Sequence, residues 1–331
     1  MMASGNAKII GTGSYVPEIV VESAELEKKY GLRPNQIVEM TGVKSRHFAN
    51  ADQSSSDLAL EAAKQAIAAA KIDPKEIDLI IFGSSIGDQA IPTTASRLQK
   101  KLGLKNTAAF DVNYTCLSFL LAMDIAKNYI SIGKYKNILI AAAELTSKVI
   151  NWREGESRFL LGDGAGSVVV SRADEGDKSA INSAYFKTDS THDHLIHIEG
   201  YGNRNHPNKA GLEPETNMFY MNGSPVLKQA MRGMDDLIAG TMKYADFAKN
   251  EIDYLIPHQA SIFGISGGAR KVGIDMAKAL MTLAECGNTA AASMPLTLDR
   301  FVRNGTIKRG DKLIFLGTAA GLSWGGLTIV Y

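Results

Sequence analysis

Two pairs of segments recur along this chain in the same order, and that repetition restricts its architecture more than any other feature. Ile72 to Ile81 and Phe247 to Ile256 each carry an acidic turn, Pro74-Lys75-Glu76 in one and Lys249-Asn250-Glu251 in the other, into an apolar strand. Lys136 to Ile140, followed by the run Gly162-Asp163-Gly164-Ala165-Gly166 and Val168-Val169-Val170, is matched by Lys312 to Phe315, followed by Gly321 to Val330. Matched patterns in one order imply a duplicated structural unit. The polar turn Asp174-Glu175-Gly176-Asp177-Lys178 places the seam, giving halves at residues 1–174 and 175–331. The match is low position by position, so two unrelated buried strands are the alternative origin of each pair.

Within the first half, short β-branched runs alternate with longer Ala-rich segments. Ala7 to Val16 reads as a strand punctuated by Gly11, Gly13 and Pro17, and Leu58 to Lys71 as a helix with Leu60, Ala63, Ile67 and Ala70 on one face. The run Ser54-Ser55-Ser56-Asp57 caps that helix. A strand (77–84), a helix (93–102), a strand (107–113), a helix (116–132) and a strand (137–143) follow. Such alternation specifies an α/β layered fold.

Composition agrees with a large packed core: 331 residues are 45% hydrophobic and 21% charged, which excludes a disordered or coiled-coil chain. Lysine plus arginine number 36 against 35 acidic residues, so no global positive field exists to hold a nucleic acid or an anionic membrane, and an acidic partner must meet a local patch. Met1 to Lys8 lacks the apolar core of a signal peptide, and no run approaches the ~18 apolar residues of a membrane span. With only Cys116 and Cys286, a disulfide scaffold is out; a reducing cytoplasm is the expected compartment.

Cys116 follows a strand and opens a nearly all-apolar helix, where the unpaired N–H groups and the dipole of a helix N-terminus favour a thiolate nucleophile. The alternative is a cysteine packed as a small hydrophobe. His258 ends the second repeated strand, where α/β folds place their ligands, although a satisfied polar residue is the commoner role for a lone histidine. Asn288, in Gly287-Asn288-Thr289 before an Ala-rich helix, reads by itself as a helix cap. The Gly162 to Gly166 run leads into a strand rather than a helix, which argues against a nucleotide loop and for close backbone approach between the halves. His192, His194, His197 and His206 fall in one polar stretch, but no carboxylate or cysteine spacing completes a metal site.

Taken together, Thr41-Gly42-Val43-Lys44-Ser45-Arg46-His47, Ala109-Phe110-Asp111-Val112 before Cys116, Leu161 to Gly166, Met221-Asn222-Gly223, Pro257-His258-Gln259-Ala260, Gly287-Asn288-Thr289 and Gly321-Leu322-Ser323-Trp324-Gly325 resemble β-ketoacyl-acyl carrier protein synthase III nearly end to end. The resemblance implies a thiolase fold, with duplicated α/β halves in a five-layered α-β-α-β-α sandwich. It implies a Cys116, His258 and Asn288 active site, with an oxyanion hole from the Cys116 N–H and the Ala320-Gly321 turn. An acyl-coenzyme A would load Cys116, and malonyl-acyl carrier protein would then condense with loss of carbon dioxide, starting fatty acid synthesis or a specialised fatty acid or polyketide pathway. No metal, nucleotide or redox cofactor is implied. A homodimer is implied, in which Ile91 reaches the partner's acyl pocket, as is a carrier-binding patch of Lys228, Arg270 and Lys271.

Departures from the family pattern fall on the coenzyme A side. Ser261, Ile262 and Phe263 replace the usual asparagine and the arginine after it; Gln36 stands where a tryptophan stacks on adenine, and Gly155 where an arginine lies, with Arg153 and Arg158 nearby. Ile91 replaces the phenylalanine of acetyl-primed enzymes, so the donor is not expected to be acetyl. The rival readings are an acyltransferase forming an ester or amide, a condensation without decarboxylation, and a carrier-binding scaffold. Retention of His258 and Asn288 favours decarboxylation, and Cys116 argues against the scaffold.

Overall fold

The computed structural model describes residues 6–331, apart from 154, 156, 207, 210 and 212. The start of the amino-terminal segment read above for a signal peptide, residues 1–5, lies outside the described residues. The first main sheet contains β1 (Ala7–Tyr15), β2 (Leu79–Gly83), β3 (Ala108–Val112), β4 (Asn137–Glu144) and β5 (Gly164–Arg172), in the order β1-β5-β4-β2-β3. The second contains β6 (Ala180–Thr188), β7 (Tyr254–Pro257), β8 (Lys312–Ala319) and β9 (Ser323–Val330), in the order β6-β9-β8-β7. The two orders superimpose strand for strand, with β3 added at the edge of the first sheet. Even the directions agree: β4 pairs parallel with β2 and antiparallel with β5, as β8 does with β7 and β9.

Helices interleave with these sheets to give five layers, α-β-α-β-α, as the fold expected from the sequence requires. Helices α1 (Ser55–Ala70) and α2 (Thr94–Lys101) cover the outer face of the first sheet. Between the sheets lie α3 (Ser118–Ser131) and the later helix Ser293–Arg303. The outer face of the second sheet carries α4 (Gly223–Arg232), α5 (Met234–Met242) and α6 (Ile262–Val272); Ser293–Arg303 is therefore α7.

Each layer follows from its residues. A strand covered on both faces needs an unbroken apolar run, and β4 is buried at every position. A helix between two sheets must be apolar around its circumference, and Phe119, Leu120, Ala122, Met123, Ala126 and Ile130 of α3 are all inaccessible. Helix α1 is two-faced instead: it buries Leu58, Ala59, Ala62, Ala63, Ala66 and Ile67, and Asp57 accepts from the Ser54 N–H (2.9 Å) at its start.

The Gly162 to Gly166 run marks the contact between halves. A Cβ on Gly166 would lie 2.5 Å from the Leu296 backbone nitrogen and 2.6 Å from the Pro295 carbonyl carbon, so β5 and α7 touch backbone to backbone. No helix among the described residues is long and apolar enough to cross a membrane.

Candidate active site

The carboxyl ends of the parallel strands converge. Cys116 follows β3, Glu144 ends β4, His258 follows β7 directly and Ala320 follows β8 directly. Open α/β sheets bind ligands at this end because the chain leaves the sheet there in loops free to diverge. Cys116, Glu144, His258, Asn288 and Ala320 all line one cavity of about 900 Å³, enclosed otherwise mainly by apolar side chains such as Met40, Ile86, Leu160, Phe219, Leu227 and Met231. Both halves contribute to its wall.

Cys116 is held by a strained turn. Thr115 has a φ of 48°, a region that a β-branched residue seldom enters and that costs on the order of 1–3 kcal/mol. The turn is fixed on every side: Thr115 N–H donates to Asn113 Oδ1 (3.0 Å), Ser118 Oγ–H donates to the Thr115 carbonyl (2.7 Å), and Tyr114 N–H donates to Ser118 Oγ (2.9 Å). This turn delays the helix that the sequence pattern started at Cys116; α3 begins at Ser118 with Leu117 as its cap. The thiol also departs from expectation. Burial, with a further contribution from the charge of Glu144, pushes it up to about 12, so desolvation outweighs the helix terminus.

His258 is nearly buried, and burial pushes its pKa down to about 4, leaving the ring neutral at physiological pH. Its Nδ1 lies 2.9 Å from Ser293 Oγ, on the first residue of α7. Gly317 in β8 makes room for it: a Cβ there would fall 2.9 Å from His258 Cβ and 3.0 Å from Leu117 Cδ2, so the imidazole and the Cys116 turn approach the same point from opposite halves.

Asn288 is stitched to the other half. Its N–H donates to Leu160 O (2.8 Å) and its carbonyl accepts from Gly162 N–H (3.1 Å). The side-chain Oδ1 accepts from Ala290 N–H (2.9 Å), which fixes the amide's orientation and leaves its Nδ2 as the donor end. Ala290 carries a φ of 43°, a second strained position beside the cavity.

Several of the sequence motifs turn out to be supports. Arg46 is fully buried behind the Asn288 turn, where its Nη2 donates to Phe159 O (2.6 Å). Asp163 accepts from Ala49 N–H (2.8 Å), Ser147 N–H (2.8 Å) and Ser147 Oγ–H (2.5 Å). Trp324 Nε1 donates to Ala230 O (3.1 Å) and so anchors α4, which lines the cavity.

Other sequence-designated residues lie apart. Gly321 follows Ala320 but does not line the cavity, and Ile91 is 84% exposed, away from the cavity of its own chain. Lys228 on α4 and Arg270 and Lys271 on α6 are exposed on two helices that flank the cavity. Lys271 Nζ pairs with Asp235 (2.6 Å), whereas Lys228 and Arg270 form no ion pair among the described residues. Phe263 is exposed at the cavity wall. Arg158 is committed elsewhere, its guanidinium 4.6 Å from the Tyr30 and Phe159 rings, and Arg153 pairs with Glu215. His197 stacks on Tyr220 at 4.8 Å. Cys286 is a buried free thiol pushed up to about 11 by burial, as a packing residue should be.

Sequence reasoning missed Glu144, Ser293 and Thr115. Only Glu144 carried a readable signal, a single acid closing an otherwise apolar run from Ile138 to Ala143.

Five layers with a cavity at the meeting of two like sheets define a thiolase-fold enzyme. Residues 110–190 match the family described as 3-oxoacyl-[acyl-carrier-protein (ACP)] synthase III, and residues 242–331 the one described as its C terminal. The chain is 36% identical to the β-ketoacyl-[acyl-carrier-protein] synthase III of Methylococcus capsulatus over 98% of this chain and 99% of that one. It is 35% identical to the enzyme of the same name from Caldanaerobacter subterraneus, covering 98% and 97%. The crystal structure of 3-oxoacyl-[acyl-carrier-protein] synthase III from Aquifex aeolicus superimposes with a TM-score of 0.88 at 32% identity, covering 98% of this chain and all of that one. The chain belongs to the β-ketoacyl-[acyl-carrier-protein] synthase III family, condensing enzymes of the transferase class.

Proposed function

We propose that this enzyme loads an acyl group from acyl-coenzyme A onto Cys116 and condenses it with malonyl-acyl carrier protein. The observation that carries the reading is the convergence of a thiol, a neutral imidazole, an oriented amide and the turn after β8 on one apolar cavity. In the first step the Cys116 sulfur attacks the thioester carbonyl, the carbon–sulfur bond to coenzyme A breaks, and the thiol proton leaves with coenzyme A as its free thiol. The Cys116 and Ala320 N–H groups hold the oxyanion, and Gly321 shapes that turn. In the second step the bond from the malonyl carboxylate to its α-carbon breaks, and carbon dioxide leaves. The electron pair passes to the thioester as an enolate, whose carbon attacks the acyl-cysteine and releases the Cys116 thiolate.

A developing enolate oxygen needs donors already in place. Asn288 supplies Nδ2. His258 supplies Nε2–H provided the proton sits on that nitrogen, and a Ser293 hydroxyl donating to Nδ1 selects that tautomer. A low imidazole pKa suits this role, since a neutral ring donates without having to lose a charge.

The same reading includes a cytoplasmic homodimer in which Ile91 enters the partner's cavity; a large aliphatic side chain left 84% exposed supports an interface there. It includes an acidic carrier docking on Lys228 and Arg270, with Lys271 already drawn toward Asp235. The decisive experiment is intact-mass analysis with a panel of acyl thioesters. Parent enzyme gains the mass of the acyl group and Cys116→Ala gains nothing, while His258→Ala and Asn288→Ala still acylate but release at least 100-fold less carbon dioxide from malonyl thioester. Acylation of Cys116→Ala would overturn the reading.

A further inference from the structure

Glu144 is a nearly inaccessible carboxyl at the end of β4, on the wall of the cavity that contains Cys116, and no step above uses it. Its oxygens accept from Ser85 N–H (2.6 Å), from the Ser85 side chain and from Ser84 Oγ–H (3.2 Å), whose single proton is shared with the Ile86 carbonyl (2.7 Å), all beyond β2, and the Ala291 N–H beside the Asn288 turn adds a weaker contact. No cation among the described residues pairs with it. A buried carboxyl with hydrogen-bond donors and no counter-ion lies between its two protonation states, and its charge, when present, acts on any neighbouring thiol.

We propose that Glu144 is a positioning residue for the chemistry of Cys116: in its neutral form it permits the thiol to ionise, and in its charged form it holds the thiol protonated. The inference rests on Cys116 being the nucleophile. Burial supports it by pushing Glu144 up to about 7, against the opposing hydrogen bonds from Ser85, Ser84 and Ala291, and the Glu144 charge in turn raises Cys116. Neutral Glu144 removes the second of the two causes that raise the Cys116 thiol, leaving burial as the first.

Other titratable groups at this end of the elements packed on β4 are Asp163 before β5, Asp88 beyond β2, and Asp57 of α1, which pairs with Lys101 of α2. His258, Glu39 and His197 face the same cavity. All of these are unchanged in a Glu144→Gln variant, so a difference from the parent belongs to Glu144.

The test is alkylation of Cys116 by iodoacetamide, located by peptide mass and followed from pH 5.5 to 9; it needs no acyl substrate and therefore stands apart from the condensation reaction. The ratio of the Glu144→Gln rate to the parent rate is expected to be near one below pH 6, where Glu144 is neutral, and to climb to about tenfold above pH 8. A merely structural effect gives a ratio independent of pH, and that result overturns the proposal. Ser84→Ala provides a second arm should the glutamine variant not fold. Loss of a donor to the charged carboxylate raises the pH at which Glu144 ionises, so this variant alkylates faster than the parent between about pH 7 and 8 and converges with it at higher pH. A Ser84→Ala profile coincident with the parent's also overturns the proposal.

Discussion

The site's working parts are neutral groups made specific by single neighbours. Ser293 is the clearest case, because among the described residues its hydroxyl is the only side-chain hydrogen-bond partner of His258. Ser293→Ala is expected to leave Cys116 acylation intact while lowering carbon dioxide release from malonyl thioester roughly tenfold, as the imidazole loses the preference that keeps its proton on Nε2. Ser293→Thr restores most of the rate; equal loss in both half-reactions would refute the tautomer argument. Ser293 left no mark in the sequence, and Glu144 left only that of a lone acid closing an apolar run, with nothing to say what it faces. Their roles depend on which residues the fold brings to them, His258 across 35 positions and Ser84 across 60. Cys116, His258 and Asn288 stood out as individual candidates because each adjoins a strand end or a glycine turn, and the resemblance grouped them.

At the scale of elements, periodicity located the layered strands and helices it named in the first half to within three residues, since a buried strand and a two-faced helix write their environments into the residues themselves, but it assigned nothing to the strands Ile19–Glu22 and Ser45–Phe48 or the short helices Ser23–Tyr30 and Gln36–Thr41. It misplaced the start of α3 because Thr115 adopts a backbone conformation that no sequence pattern marks, stabilised by Asn113 and Ser118. The glycine run was legible as a close approach but its partner was not: the backbone of α7 faces Gly166. Gly166→Ala forces β5 and α7 apart against backbone atoms that have no side-chain freedom to yield. It is expected to destabilise the fold by roughly 1–3 kcal/mol, read as a lowered urea midpoint. An unchanged midpoint would show that the two elements separate freely.

For the molecule as a whole, the repeated strand order places two opposed ionisations in one cavity, Glu144 from the first sheet and His258 from the second. The fold keeps a proton on Glu144 up to about pH 7 that the unfolded chain releases near 4.5, so this group's stabilisation is complete below pH 4.5 and is lost as pH rises through 7. His258 works the other way. Its folded pKa of about 4 lies below the unfolded 6.5, so its contribution is complete above pH 6.5 and is lost as pH falls toward 4. Between pH 4.5 and 6.5 the two slopes offset each other in the parent enzyme. Removing either one exposes the other: relative to the parent, Glu144→Gln gains stability as pH rises across this window, and His258→Asn gains it as pH falls, each by up to about 1.4 kcal/mol per pH unit. Urea unfolding of all three proteins at half-unit intervals checks this, and differences that do not vary with pH would show that neither group titrates away from its ordinary value in the folded cavity.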